Sequence, residues 1–426
     1  MKVTKYKVAT ICILLLFTSI YLINYSFLKH ELDNCSNNEG NRENVNYMLK
    51  TSLVEDWNVT WDKGDSEQGW GIFVDDTTGD VYVSGYNGTT NDDVILIKFN
   101  NQGKQQWNTT WDDGNHELGY DVKRDSNGYI YVAGANGTGG VNFDVLLLKF
   151  NSSGKLEWKR TWNNWSSDGA WALEIDSEDN IYLVGDSFKT TSRALLLLKY
   201  NSSGDLLWNS TFDLPNDQYG RDIVLDSLNN IYIVGQTTPN SNDDLLVVKF
   251  DSSGNCIWNR TWGGNYEDEG WAIALDSNNN VYATGFTTPS LIPGTRDIVV
   301  VKYNKEGNLL WNRSWGTIDN EEAYGIAIDS ADNVYIGGSS GSIAINVSLL
   351  KYDSKGNFIW NKNWVGNPLY KHYLKSLTID SSDKIYITGY WGTSAPFDLF
   401  AAKFSIESPG AFTLSSNAGI PDTDGN

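Results

Sequence analysis

Six residues at matching places along the chain have the chemistry to hold another molecule: Trp70, Tyr120, Trp171, Arg221, Trp271 and Tyr324. Each enters a short apolar run, and acidic residues cluster just ahead of it. Those acids are Asp65 and Glu67; Asp113 and Glu117; Asp168; Asp217; Glu267, Asp268 and Glu269; Glu321 and Glu322. The seventh such place carries Lys371 and His372 instead. Aromatic faces beside a guanidinium and carboxylates can stack on sugar rings or clasp a cationic side chain. These six residues and His372 are therefore the candidate ligand-binding set. The competing reading is a solvated loop rim above packing aromatics. Arg221 breaks the aromatic series, and the nearby segment 287–296 is the longest of its kind, which marks one sector as distinct.

Catalytic and metal chemistry finds less support. No nucleophile–base pair and no phosphate-binding glycine loop is present; the glycine-rich stretch 134–140 precedes a strand rather than a helix. The histidines are His30, His116 and His372. A metal set of His116 and His372 with Asp113 or Glu117 is weaker than the reading of exposed loop residues. No metal, cofactor or catalytic residue is expected. Cys12, Cys35 and Cys256 are too scattered to imply a disulfide framework.

Two further sets recur in every copy and so belong to architecture. Asp75, Asp125, Asp176, Asp226, Asp276, Asp329 and Asp380 end one type of run. Lys98, Lys149, Lys199, Lys249, Lys302, Lys351 and Lys403 end another. They are expected as structural ion pairs at one end of each repeat. Thirteen of the 18 tryptophans are Trp57, Trp61 and their equivalents, six pairs spaced by four and the single Trp208, on one strand face where they pack between repeats. Between them lie Asn-x-Thr/Ser sequons at Asn58, Asn108, Asn209, Asn259 and Asn312, glycan acceptors in an exported chain.

What must position these residues is a repeat. Its copies begin at Trp57, Trp107, Trp158, Trp208, Trp258, Trp311 and Trp360, at spacings of 49 to 53 residues. Each holds four apolar runs, A to D; in the fifth copy they are 270–276, 280–285, 297–303 and 308–315. Runs of this length rich in Val, Ile, Tyr and Trp read as strands. Asp-Ser-x-x-Asn joins A to B. Asn or Asp, two polar residues and Gly join C to D, both as tight antiparallel hairpins. Run C is apolar almost throughout, so both its faces should be buried, which suits four-stranded sheets stacked around an axis. The last A, B and C runs lack a D, while 54–61 is a D without a preceding A, B and C. The fold class expected is all-β: a seven-bladed β-propeller of four-stranded antiparallel blades, closed by the N-terminal strand.

Outside the repeat, residues 1–28 hold a basic end (Lys2, Lys5, Lys7) and an apolar segment, 8–28, long enough to span a bilayer. It reads as a transmembrane anchor, with a cleaved signal peptide as the alternative. The flanking charges place the repeats outside the cell. Residues 29–52 are a polar stem, 53–404 the propeller and 405–426 a linker-like tail. A net charge of −21 argues against nucleic acid as a partner.

The motif G-[WY]-x-I-x-x-D-S-x-x-N-x-Y-x-x-G, followed by D-x-x-x-x-K-[YF]-[ND]-x-x-G-x-x-x-W, resembles the SBBP-type β-propeller repeat family of bacteria and archaea. The resemblance covers residues 53 to 404. It implies an exported or surface protein and carries over no catalytic residue, since the family shares none. Kelch, sialidase and quinoprotein repeats fit less well; the Gly pair of kelch repeats, for example, occurs here only at Gly337 and Gly338. The function expected is a membrane-anchored or secreted binding or adhesion module for an extracellular glycan or protein. An extracellular propeller enzyme using loop carboxylates on a glycan is the alternative, and a structural spacer the third reading.

Overall fold

A computed structural model describes residues 52–407, apart from 89–90, 139–141, 165, 190, 240–241, 290–294, 343 and 367–368. The apolar segment 8–28, the stem up to residue 51 and the tail beyond residue 407 lie outside the described residues. So does the centre of the long segment 287–296. Among the described residues no helix is long and apolar enough to cross a membrane.

The chain forms a seven-bladed β-propeller. Seven four-stranded sheets, each antiparallel in the pairings described, follow one another, and in six of them the strands run in chain order A, B, C, D. In the seventh sheet the order is Lys371–Ile379, Ile385–Gly392, Asp398–Glu407, then Ser52–Trp61 as its outer member. Residues 54–405 make one compact unit.

The apolar C strands explain the stacking. In blade 3, Leu195 to Leu198 are at most 1% exposed, and their alternation sends them to two different cores. Leu196 and Leu198 pack with Val145 and Leu147 of blade 2. Leu195 and Leu197 pack with Ile231 and Ile233 of blade 4. Each such leucine contributes about 1.5–3 kcal/mol by leaving water. A strand with both faces buried between sheets cannot also alternate apolar and polar residues, which is why run C does not.

Hairpin geometry follows the turn residues. The C–D glycines Gly103, Gly154, Gly204, Gly254, Gly307 and Gly356 have φ between 75° and 83°, where an L side chain is strained. At several A–B turns Asp or Asn takes the same left-handed conformation, as at Asp179 and Asn279 (φ 60° at each). These hairpins also join blades: Asp179 accepts from the backbone N–H and hydroxyl of Ser126, at 3.0 and 2.8 Å, one blade back. The paired tryptophans work in the same direction. Trp57 Nε1 donates to Asn101 O and Trp258 Nε1 to Lys305 O, both at 3.1 Å, reaching the next blade's C–D turn.

Candidate functional site

In every A strand one residue has no partner in the pairing with strand B. The register slips between Gly69 and Gly71, Gly119 and Asp121, Ala170 and Ala172, Gly220 and Asp222, Gly270 and Ala272, Ala323 and Gly325, and Leu374 and Ser376. The residues left out are Trp70, Tyr120, Trp171, Arg221, Trp271, Tyr324 and Lys375. A bulge of this kind re-aims a side chain. Here it turns all seven, each half-buried, into a central cavity of about 420 Å³. The bulge also explains the glycine in strand B. A Cβ on Gly235 would lie 1.8 Å from Tyr219 O, and one on Gly185 would lie 1.7 Å from Gly169 O.

The seven side chains touch around and across the opening. Tyr120 stacks on Trp171 with ring centres 4.4 Å apart, Trp70 meets Tyr120 edge-on at 5.3 Å, and Trp271 meets Tyr324 at 5.1 Å. The two cations wedge between aromatic rings. The Arg221 guanidinium lies 4.4 Å from the Trp171 ring centre and 4.5 Å from that of Trp271. Lys375 Nζ lies 4.2 Å from Tyr324 and 4.5 Å from Trp70. Acceptors fix the ring's outer side: Trp171 Nε1 donates to Asp186 Oδ1 at 2.9 Å, Trp271 Nε1 to Glu269 Oε2 at 3.1 Å, and the Tyr324 hydroxyl to Glu322. Arg193 pairs with Asp186, and Arg296 with Glu322 and Glu267.

The rest of the cavity wall is lopsided. Blades 4 to 6 line it with Val224, Leu225, Leu275 and Ile328, whereas blades 2 and 3 present Lys123 and Glu174, paired at 2.9 Å. Asp121 accepts from the N–H groups of Val122 (2.8 Å) and Leu173 (3.0 Å), and Asp222 from those of Ile223 (2.8 Å) and Ile273 (2.9 Å), so each ties its blade to the next. Burial lifts the Asp222 carboxyl to about 7 and raises that of Asp121. Burial lowers Lys375 to about 8, which Glu322 only partly opposes, and it lowers Arg221 as well. For Lys123 burial works the same way, but Glu174 and Asp121 outweigh it and hold the ammonium charged.

Six of the seven residues expected in the ligand set thus share one ring, and the seventh does not. His372 is 1% exposed and packs among Trp364, Trp391 and Phe400 with ring centres 5.6, 6.0 and 6.3 Å away. It sits three residues earlier on its strand than the bulge, and Lys375 takes the ring position instead. Lys375 was findable: each ring residue stands five before its strand-ending aspartate, and Asp380 points back to it.

The acids expected on a solvated rim need the same correction. Glu67, Glu117, Asp168, Asp268 and Glu321 are at most 3% exposed. Each accepts from the backbone N–H four residues earlier, in the loop it closes, as Asp268 does from Gly264 at 2.8 Å and Glu321 from Thr317 at 2.8 Å. A loop folding back over its own strand needs such an acceptor beneath it. His116 lies 3.3 Å from Asp92, and it forms no metal-ligating group with His372 among the described residues.

The recurring Asp and Lys residues meet through a tyrosine. The strand B hydroxyls of Tyr131, Tyr182, Tyr232, Tyr282, Tyr335 and Tyr386 donate to the aspartate of their blade at 2.9–3.2 Å. The lysine lies over the same ring, from 4.5 Å for Lys302 and Lys351 to 5.1 Å for Lys149, and in blade 1 Lys98 lies 5.4 Å from the Tyr82 ring centre. Direct Asp–Lys pairs within 4.0 Å form in four blades: Asp125–Lys149, Asp176–Lys199, Asp276–Lys302 and Asp329–Lys351. Blade 1 differs, because Arg124 of blade 2 reaches Asp75 at 3.2 Å and Lys98 turns to Asp80 at 2.7 Å. Lys249 donates to Lys305 O at 3.4 Å rather than to Asp226, and Lys403 lies over the Tyr386 ring rather than on Asp380. Of the sequon asparagines, Asn58, Asn108, Asn209 and Asn312 are exposed on outer strands, and Asn259 is half-buried.

No family model matches this chain, and no curated protein does. Solved structures do. The WD40 domain of Pan2 from Neurospora crassa is 9% identical, with 82% of this chain and 95% of that one covered at a TM-score of 0.54. A polysaccharide lyase, the PL25 ulvan lyase bound to -[GlcA(1-4)Rha3S]-, is 10% identical, with 80% and 95% covered and a TM-score of 0.52. Sqt1 from Chaetomium thermophilum is 10% identical, with 81% and 87% covered and a TM-score of 0.50. At such identities the likeness is one of fold: this chain shares the β-propeller architecture with all three.

Proposed function

We propose that this protein is a non-catalytic binding module whose ligand, a short glycan segment, is taken at the central ring. The observation that carries this reading is the bulge repeated in all seven A strands, which gathers four kinds of side chain, Trp, Tyr, Arg and Lys, at one opening. A cavity of about 420 Å³ is within the usual range for small-ligand sites. The rings give apolar faces, and Arg221, Lys375, Glu269 and Glu322 give donors and acceptors for hydroxyl groups. Glycan and peptide arrays probed with the protein identify the ligand. Arg221→Ala and Trp271→Ala, with folding checked separately, should then each weaken binding at least tenfold. Unchanged affinity in both would move the site elsewhere, and peptide hits alone would make the ligand a protein.

A second reading, an enzyme acting on a glycan, rests on Lys375. An amine lowered to about 8 inside a cavity is suited to moving protons near neutral pH. The ulvan lyase shows only that this fold is compatible with such an activity in another protein. Turnover of an array hit that disappears in Lys375→Met would favour it.

Around this site we read the chain as an SBBP-type propeller, on the strength of its motif, held outside the cell by residues 8–28. Proteolysis of intact cells should then reach the propeller; protection until lysis would refute the placement. We further read the N-terminal strand as the latch that keeps the ring shut. Supporting this, Ser405 Oγ donates to Asp56 at 2.8 Å, and Trp61 packs with Ile72, Phe99 and Leu399.

A further inference from the structure

At the face carrying the D–A loops, three positions converge where blades meet: the start of strand C, the residue after the neighbouring strand D, and a residue early in the next strand A. Between blades 7 and 1 these are Asp398, Asp62 and Glu67, with one carboxylate oxygen from each within 4.8 Å of the others. Between blades 1 and 2 they are Asp93, Asp112 and Glu117, grouped within the same distance. Elsewhere at least one position is neutral. Asn163 replaces the middle acid between blades 2 and 3, and its amide donates to Asp144. Gly263 and Gly316 replace it in the two seams flanking blade 5. The other two seams have Ala194 with Gln218, and Asn346 with Val365.

The seam between blades 7 and 1 carries a second sign. Glu67 is fully buried; its Oε1 accepts from Lys63 N–H at 3.2 Å, while its Oε2 is buried with no hydrogen-bond partner. Asp62 spends one oxygen on Gly64 N–H at 2.7 Å. Among the described residues none of the three makes an ion pair within 4.0 Å. A buried carboxylate oxygen without a donor, facing two more carboxylates, is relieved by either a bound cation or a proton.

We propose that this seam binds a divalent cation of the calcium class through Asp62, Glu67 and Asp398; in the cluster of Asp93, Asp112 and Glu117 both Glu117 oxygens already accept, from Asn115 N–H at 3.1 Å and Asp113 N–H at 3.4 Å, and it carries no such site. Oxygen-only donors without His or Cys select hard cations over zinc or copper. Asp62 is exposed, so water completes the coordination. A site this open has a Kd on the order of 10⁻⁴–10⁻³ M, as in extracellular modules. The cation pins together the end of the N-terminal strand, a C strand of the last blade and the A strand of the first.

Calorimetric titration of the full chain with CaCl2 should show one site, which Glu67→Gln abolishes. Glutamine keeps the loop closed, because Gln218 already does this in blade 4, accepting from Leu214 N–H at 2.8 Å. Asp398→Asn, with Asn346 as its native counterpart, is the second variant and should also abolish it. Calcium at ten times Kd should raise the wild-type Tm by about 1–3 °C and that of Glu67→Gln by less than half as much. Neither heat nor a Tm shift with calcium, magnesium or manganese at neutral pH would overturn the proposal and leave the carboxylates sharing a proton. A site persisting in both variants would overturn the assignment as well.

Discussion

Lys375 shows what a single residue in the ring costs and offers. An ordinary lysine titrates near 10.4; burial brings this one to about 8. Below pH 8 both folded and unfolded chains carry the proton, and the folded state bears the full cost of a buried ammonium. Between about 8 and 10.4 the folded state releases its proton first, so the unfolded state binds more protons and stability rises with pH. Lys375→Met removes this dependence. The stability of wild type relative to Lys375→Met should therefore increase by about 1–2 kcal/mol between pH 7.5 and 10. Urea unfolding at both pH values measures it, and a constant difference would show that the amine is not desolvated. The spacing to Asp380 marks the residue in the sequence, but its type does not, because its six counterparts are aromatic or arginine. Glu67 and its equivalents misled for a related reason: an acid in a polar loop looks solvated, and only the fold shows the loop closing over it.

At the level of the strand, composition and turn residues made the four runs and both hairpins readable. The C–D glycines indicated positive φ, and the unbroken apolar C runs indicated burial on both faces. The bulge was not readable, because a slipped register leaves no change in composition. Its one trace is the strand B glycine, present in every copy but open to several explanations. Gly235→Ala should cost about 2–4 kcal/mol, since its Cβ would collide with Tyr219 O. Gly264→Ala, where a Cβ meets nothing within 4 Å, should stay within about 0.5 kcal/mol. Equal effects in chemical denaturation would mean that the bulge yields, and the ring residues with it.

For the molecule as a whole, the repeat count and its phase gave the number of blades, because seven D-type runs and seven A–B–C sets leave one of each without a contiguous partner. What binds in the middle was not given by the count, since equivalent blades differ only at a few side chains. Deleting residues 52–61 should expose the edge of Asp398–Glu407 and strip Trp57, Val59 and Trp61 from the core they share with Ile72 and Leu399. The truncated chain is expected to lose its single cooperative transition and to self-associate. A monomer with unchanged Tm, by size-exclusion chromatography and thermal unfolding, would refute the latch.

The Ser405–Asp56 hydrogen bond joins residues 349 positions apart. Ribosomes add about 5–20 residues per second, so the first strand is finished about 20–70 s before its neighbour exists. For that interval Trp57, Val59 and Trp61 travel without a sheet to join. Every molecule therefore begins life with an adhesive end and no partner of its own. Nascent chains crowded on one messenger are thus exposed to exchanging first strands, and the rate of elongation sets how long that hazard lasts.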